Sequence, residues 1–98
     1  MARLTSADLQ AALAAMPGWT LEGDALRTVV QFRTFRQAMA FINQVAELAT
    51  QARHHPDMCI SYNRVTLTLT THDEGGVTAR DIALARQIAE LRPAEASA

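Results

Sequence analysis

Apolar residues recur along the chain with two different periods, and the switches between these periods predict the order of its elements. A spacing of three to four residues over positions 6–15, after the capping sequence Thr5-Ser6-Ala7-Asp8, predicts an amphipathic helix. Strict alternation then predicts two strands, Trp19–Glu22 and residues 26–32, joined by a turn at Gly23-Asp24. The chain therefore begins with a helix and a β-hairpin.

The middle of the chain carries the longest helical pattern. A second capping sequence, Thr34-Phe35-Arg36-Gln37, precedes apolar residues at helical spacing, and together they predict a helix over Phe35–Ala52. This helix ends before His54-His55-Pro56, because proline disfavours helical backbone at the residue before it. We assign to the core the apolar stripe of this helix, which consists of Phe35, Met39, Ile42, Ala46 and Ala49.

Two alternating runs and a third capping sequence complete the pattern. Large apolar or aromatic side chains alternate with small or polar ones over residues 58–62 and 65–71, which predicts two strands around a tight turn at Asn63-Arg64. Tyr62 is then the last residue of its strand and packs at the edge of the sheet. A final helix begins at Thr78-Ala79-Arg80-Asp81, which has the form of a capping box.

The predicted order is α-β-β-α-β-β-α in a chain of 98 residues, which is the size of one domain. We therefore expect a single α+β domain over residues 1–98, with helices packed on one face of a four-stranded antiparallel sheet. The pattern does not determine the order of the strands. The small and polar residues 92–98 are expected to fray.

Composition and charge exclude several classes of protein. The formal net charge is −1, and all nine basic residues are arginine, so no cationic excess is available for binding nucleic acid. No run of about 18 apolar residues is present to span a membrane, and the N-terminal segment does not suit a signal peptide. A single cysteine, Cys59, cannot form an internal disulfide. We expect a cytoplasmic protein that binds neither nucleic acid nor membrane.

Titratable side chains cluster in the second half of the chain. All three histidines, His54, His55 and His72, fall within 19 residues, two after the long helix and one after the last strand. Asp81 lies in the first turn of the last helix, where the helix dipole favours a carboxylate. Because imidazole titrates near neutral pH, histidines that face one cavity can act as general acid and general base. A nearby carboxylate can fix the tautomer of one of them.

Structural roles for the same residues stay open. Asp81 can simply complete the capping box that begins at Thr78, and this role is compatible with a catalytic one. His54-His55 can be a solvated junction between a helix and a strand. A metal site is not expected, because zinc takes three or four convergent ligands, neighbouring histidines diverge, and no second cysteine is present.

One set of residues is spaced as in a known family. The set consists of His54-His55-Pro56, Tyr62-Asn63, Val65, Thr71-His72, Gly76, Thr78 and Asp81. In this spacing, in its length and in its element order, the chain closely resembles the pterin-4a-carbinolamine dehydratases. The resemblance implies the same fold and a hydro-lyase that converts 4a-hydroxytetrahydropterin to quinonoid dihydropterin and water. It implies no metal or organic cofactor, and a place after an aromatic amino acid hydroxylase in recycling a tetrahydrobiopterin-type cofactor.

The resemblance also implies the site, residue by residue. The catalytic residues are His54, His55, His72 and Asp81. The pterin is bound by these four residues and by the backbone of Thr70 and Thr71. We expect His54 and His72 to form the acid–base pair, with the two roles unassigned between them. His55 would shape the pterin site, and Asp81 would orient a histidine or bind the pterin.

A second hypothesis is a non-catalytic module that binds a protein partner or aids its dimerisation, as some animal members of the family do with a transcription factor. The helix Phe35–Ala52 and the alanine-rich composition suit helix–helix interfaces. Thr50 stands where the family often carries a charged or acidic residue, and the nearest acid, Glu47, lies one turn earlier. The complete set of histidines and Asp81 favours the enzyme.

The alanine content predicts association between copies of the chain. Nineteen residues are alanine, so few large side chains are available to fill a core. A chain of this length buries only roughly two-thirds of its unfolded surface. We therefore expect a homodimer or homotetramer, which sedimentation velocity at micromolar concentration will detect. A monomer under these conditions would contradict the expectation.

Overall fold

The computed structural model describes residues 2–91 of the chain. The helices are α1 (Ser6–Ala14), α2 (Phe35–Ala52) and α3 (Ala79–Leu91), and the strands are β1 (Trp19–Glu22), β2 (Ala25–Gln31), β3 (Asp57–Ser61) and β4 (Arg64–Leu69). The predicted α+β class, element order and four-stranded antiparallel sheet are confirmed. The predicted fraying of residues 92–98 lies outside the described residues. Between residues 2 and 91, no helix is long and apolar enough to cross a membrane.

The four strands lie in the order β1-β2-β4-β3, and every neighbouring pair is antiparallel. The central strands β2 and β4 pair from Leu26 opposite Leu69 to Gln31 opposite Arg64. Helix α2 carries the chain from β2 to the outer strand β3, and a hairpin then returns it to the centre of the sheet. This strand order, which the pattern left open, places the junction between α2 and β3 beside the end of β4.

One face of the sheet carries the core, and all three helices contribute side chains to it. The inward side chains of the two central strands include Leu26, Val30, Val65, Leu67 and Leu69, which are all completely buried. Full burial of each such side chain is worth about 1.5–3 kcal/mol, so this layer is a main source of stability. Alternate residues on the opposite face of the same strands stay partly exposed. The helices therefore cover one face of the sheet, as predicted.

The bounds of α2 agree with the prediction, but the face that it buries does not. Its buried side chains are Ala38, Phe41, Val45 and Ala49. Of the predicted stripe only Ala49 is buried, whereas Phe35 is 48% exposed and Met39, Ile42 and Ala46 are partly buried. The two stripes are neighbouring strips of one broad apolar surface. The buried strip begins with Ala38 and ends with Ala49, and these small side chains let α2 pack closely on the sheet.

The turn between β3 and β4 lies one residue earlier than predicted. Ser61 pairs with Arg64, so the turn residues are Tyr62 and Asn63. Tyr62 has a left-handed backbone with φ 53° and is 68% exposed, so the prediction that it packs at the sheet edge is wrong. The Asn63 side-chain amide donates to the carbonyl of Phe32 at 2.7 Å, and the Phe32 N–H donates to the Asn63 carbonyl at 2.8 Å. These bonds to a distant segment favour the observed turn.

Strand β4 ends at Leu69, two residues before its predicted end. Thr71 instead forms an isolated antiparallel bridge with Gly76. Between them, residues His72–Glu74 form a single 3-10 turn. Gly75 closes this turn with φ 71°, a left-handed conformation that glycine adopts without steric cost. The third histidine therefore lies on a compact turn and not at the end of an extended strand.

The observed face of α2 predicts unequal effects of two matched substitutions. Phe41→Ala removes a ring that is only 2% exposed, so the free energy of unfolding should fall by about 3–5 kcal/mol. Phe35→Ala removes an exposed ring that stacks on Tyr62, with ring centroids 6.5 Å apart. This substitution should lower the free energy of unfolding by less than about 1 kcal/mol. Urea unfolding of both variants measures the difference. Equal losses would mean that the Phe35 ring is buried in the folded protein.

Candidate active site

The end of α2 turns the chain sharply towards α3. Arg53 caps the helix in the left-handed conformation, with φ 53° and ψ 40°. The N–H of Arg53 donates to the carbonyl of Thr50 at 3.2 Å, and the N–H of His54 donates to that of Ala49 at 3.1 Å. These two bonds form the Schellman motif that commonly ends helices. His54 leaves the helix axis at this point and enters the interior.

The register of the sheet brings the histidines of two distant segments together. Asp57 at the start of β3 pairs with Thr68 near the end of β4. Because the strands are antiparallel, the residues just before Asp57 lie beside those just after Thr68. His54 and His55 therefore meet the segment 70–72. This proximity depends on the strand order, which places β3 and β4 next to each other.

The side chain of Asp81 links the segments that meet at this junction. Its carboxylate is completely buried in the first turn of α3. One oxygen, Oδ1, lies 2.5 Å from Nε2 of His54, which is itself only 9% exposed. The other oxygen, Oδ2, accepts hydrogen bonds from the Thr71 hydroxyl at 2.9 Å and from the Thr78 N–H at 2.8 Å. The buried charge thus has three partners from three separate segments.

The donor and acceptor roles of the two hydroxyls near Asp81 are determined. The Thr71 hydroxyl has one hydrogen and donates it to the carboxylate. In its 2.8 Å contact with Thr78, Thr71 must therefore be the acceptor and Thr78 the donor. The N–H of Arg80 in turn donates to the Thr78 oxygen at 3.3 Å. The bond from the Thr78 N–H to Asp81 confirms the predicted capping box, so Asp81 combines capping with its bond to His54.

A cleft of about 290 Å³ opens above this buried network. It is lined by five of the six residues expected in the site, namely His54, His55, Thr70, Thr71 and His72. The sixth, Asp81, does not line the cleft and reaches it through His54. His55 and His72 are exposed. The volume is close to the lower end of the range for small-molecule sites, roughly 300–1,000 Å³.

The two threonines differ in what they can offer a ligand. The Thr71 N–H donates to the Gly76 carbonyl at 3.0 Å, and the Thr71 carbonyl accepts from the N–H groups of Glu74 and Gly76. Its backbone is therefore engaged within the fold. The Thr70 hydroxyl donates to the carbonyl of Asp24 at 2.7 Å, which ties the end of β4 to the turn between β1 and β2. Of the two expected backbone contacts, that of Thr71 is therefore already used within the fold.

Sequence reasoning missed three further residues of the cleft wall, which are Arg53, Asp73 and Arg80. Each is a sequence neighbour of a residue that was singled out, which is the only signal the sequence offered. Thr50, by contrast, lies elsewhere. Its hydroxyl donates to the carbonyl of Ala46 at 2.8 Å, and it lines a separate hollow on α2 together with Glu47.

The arrangement offers imidazoles and hydrogen-bond donors to a small ligand. One imidazole has a fixed partner, and the other two are exposed and line the same cleft. Such a set can deliver one proton and remove another within a single bound molecule. Across residues 2–91, no three or more His, Cys, Asp or Glu side chains are grouped so that they could hold a metal ion.

Comparison with known proteins places this geometry in a family. The family described as pterin 4 alpha carbinolamine dehydratase matches residues 2–91. A provisionally named pterin-4-alpha-carbinolamine dehydratase of Thermomicrobium roseum is 60% identical over 91 residues, which cover 93% of this chain and 98% of that one. A second protein with the same provisional name, from Thermosynechococcus vestitus, is 51% identical over 91% of this chain and 94% of its own.

Solved structures agree with this assignment. A crystal structure from Brucella melitensis, described as a transcriptional coactivator/pterin dehydratase, superposes with a TM-score of 0.88 at 39% identity. The match covers 93% of this chain and 99% of that chain. A pterin dehydratase-like RuBisCO assembly factor of the alpha-carboxysome has a TM-score of 0.62 at 21% identity and shares the fold. The family match over the described chain, together with these relatives, shows that the protein belongs to the pterin-4-alpha-carbinolamine dehydratase family.

Proposed function

We propose that the protein dehydrates 4a-hydroxytetrahydropterin to quinonoid dihydropterin and water, and so supports recycling of a tetrahydropterin cofactor after an aromatic amino acid hydroxylase. The main support is the convergence of His54, His55 and His72 on one cleft, with a buried carboxylate bonded to the first. The names of the relatives from Thermomicrobium and Thermosynechococcus point to the same reaction.

The reaction moves two protons. The carbon–oxygen bond at C4a breaks as the hydroxyl group takes up a proton and leaves as water. The neighbouring ring nitrogen loses a proton, and its electron pair forms the new carbon–nitrogen double bond. No electrons are exchanged with another reactant, so one proton donor and one acceptor suffice. Two imidazoles suit these tasks, because the ring titrates near neutral pH.

The bond to Asp81 supports a division of the two roles. A carboxylate accepts hydrogen bonds, so Nε2 of His54 carries the hydrogen and Nδ1 of the neutral ring is unprotonated. His54 is then the general base that removes the proton from the ring nitrogen. His72, whose imidazole is exposed in the same cleft, is the general acid for the departing hydroxyl. His55 and the backbone of Thr70 bind the pterin.

Thr71 contributes to this mechanism through Asp81. Its hydroxyl fills one of the acceptor sites on Oδ2, and the Thr78 N–H fills another. With both donors on this oxygen, the carboxylate can turn only Oδ1 towards His54. The network therefore fixes the tautomer and the orientation of the imidazole, as the buried aspartate does in serine proteases.

A non-catalytic protein-binding module remains the second candidate. The Brucella relative is described as both coactivator and pterin dehydratase, and this chain exposes a stacked aromatic pair, Phe35 and Tyr62. A specific protein partner captured by a protein without dehydratase activity would favour this function. The complete histidine set in the cleft favours the enzyme. The cytoplasmic location and the homo-oligomer remain predictions.

Replacement of the two proposed acid–base residues is the direct test. His54→Ala and His72→Ala should each lower the carbinolamine dehydration rate at neutral pH by about 10²–10⁴-fold. Glu74→Gln is a matched control, because Glu74 lies on the same 3-10 turn as His72 without lining the cleft. Circular dichroism verifies the fold of each variant. Unchanged turnover in both folded histidine variants would rule out the mechanism.

Asp81→Asn tests the tautomer argument separately. The amide oxygen must stay on the Oδ2 side, where two donors bind, so the amide NH₂ faces His54 and forces the hydrogen onto Nδ1. We expect kcat to fall by about 10²–10⁴-fold, in line with the loss on fixing the wrong tautomer in a serine protease, while pterin binding changes little. Nitrogen-15 NMR of the imidazole reports the tautomer. A variant with the new tautomer and normal kcat would contradict the assigned role of His54.

A further inference from the structure

Arg53 occupies a position that its side chain does not favour. It ends α2 with a left-handed backbone, φ 53° and ψ 40°, where glycine and asparagine are the usual residues. Its guanidinium group has no hydrogen bond or ion pair with any of the described residues, although it lines the cleft beside His54. The Schellman motif accounts for the left-handed backbone, but no contact among the described residues accounts for the guanidinium group in the cleft.

A second arginine fixes the position of Arg53. The guanidinium Nη2 of Arg80 donates to the Arg53 carbonyl at 2.7 Å and so links the end of α2 to the start of α3. Both arginines line the cleft that also contains the three histidines. The only carboxylate in that wall belongs to Asp73, because Asp81 is buried and bonded below it. The side chains that line the cleft therefore carry one more positive than negative charge, and the Asp81 carboxylate is buried beneath them.

We propose that this cleft takes pterins that carry an anionic group, a phosphate or a carboxylate, on the substituent at ring carbon 6, and that Arg53 binds this group. The proposal rests on the proposed pterin function and narrows its substrate class. Acid–base dehydration uses the histidines and leaves the Arg53 guanidinium without a task, whereas that of Arg80 is bonded to the Arg53 carbonyl. A guanidinium fork matches the oxygens of phosphate and carboxylate, and it is the usual partner of both.

Equilibrium binding provides the test, with probes that do not react. The three probes are 6-hydroxymethylpterin, its phosphate ester and 6-carboxypterin, and their intrinsic fluorescence reports binding. We expect the phosphate ester, the carboxylate or both to bind about tenfold tighter than the neutral alcohol at low ionic strength. Added salt should reduce the difference, since screening weakens exposed charge pairs. The two anionic arms distinguish phosphate recognition from carboxylate recognition.

Substitutions test whether Arg53 causes the preference for the anionic probes. Arg53→Asn suits the left-handed backbone and should abolish the preference, so that the ratio of the Kd of the neutral alcohol to that of the anionic probe falls to about one. Arg53→Lys keeps the charge without the planar fork and should retain part of the preference. Arg86→Gln is the control, because Arg86 lies on the exposed face of α3 and its loss changes the net charge equally.

Several results would overturn the proposal. Equal binding of all three probes by the wild type, no binding of any of them, or an Arg53→Asn variant that weakens every probe alike would each do so. Failure of the dehydratase function is distinguishable from these results. If the protein binds the anionic probe more tightly through Arg53 but does not dehydrate a carbinolamine, the proposed anion site stands and only the proposed reaction is wrong.

Discussion

The buried carboxylate of Asp81 is the constraint on which the site depends. A charge with no solvent exposure is tolerated only when its hydrogen-bonding capacity is filled, and removing one partner of a buried pair costs about 3–5 kcal/mol. Here the partners come from the end of α2, the segment after β4 and the residue before α3. The positions of these three elements are therefore coupled, and the cleft above them inherits a fixed shape.

Local sequence signals predicted the parts of this arrangement that depend on neighbouring residues. The capping boxes at Thr34 and Thr78 were recognisable because their donors and acceptors lie three residues apart. The Gln37 N–H donates to the Thr34 hydroxyl, and the Thr78 N–H donates to the Asp81 carboxylate. The bounds of α2 followed from its capping box and from the proline after its last turn. The histidine cluster was recognisable as a candidate site because three rare titratable residues lie in one short stretch.

The features that the sequence did not predict depend on distant contacts. The turn at Tyr62 and Asn63 is favoured by bonds between Asn63 and Phe32, which are 31 residues apart. The buried face of α2 depends on how closely the helix can approach the sheet, and periodicity alone does not distinguish two adjacent apolar stripes. Arg53 and Arg80 both line the cleft where the end of α2 meets the start of α3, and a side-chain-to-backbone bond joins them there.

The spacing of the partners of Asp81 along the chain has a consequence for folding. Thr71, Thr78 and Asp81 close their bonds over loops of seven and ten residues, for which the entropy of closure is small. His54 is 27 residues from Asp81 and reaches it only when α2 has docked on the sheet. The acceptor cluster can thus assemble early within its own segment, and the histidine joins it with the long-range contacts. The contact between His54 and Asp81 therefore forms together with the long-range contacts of the tertiary fold.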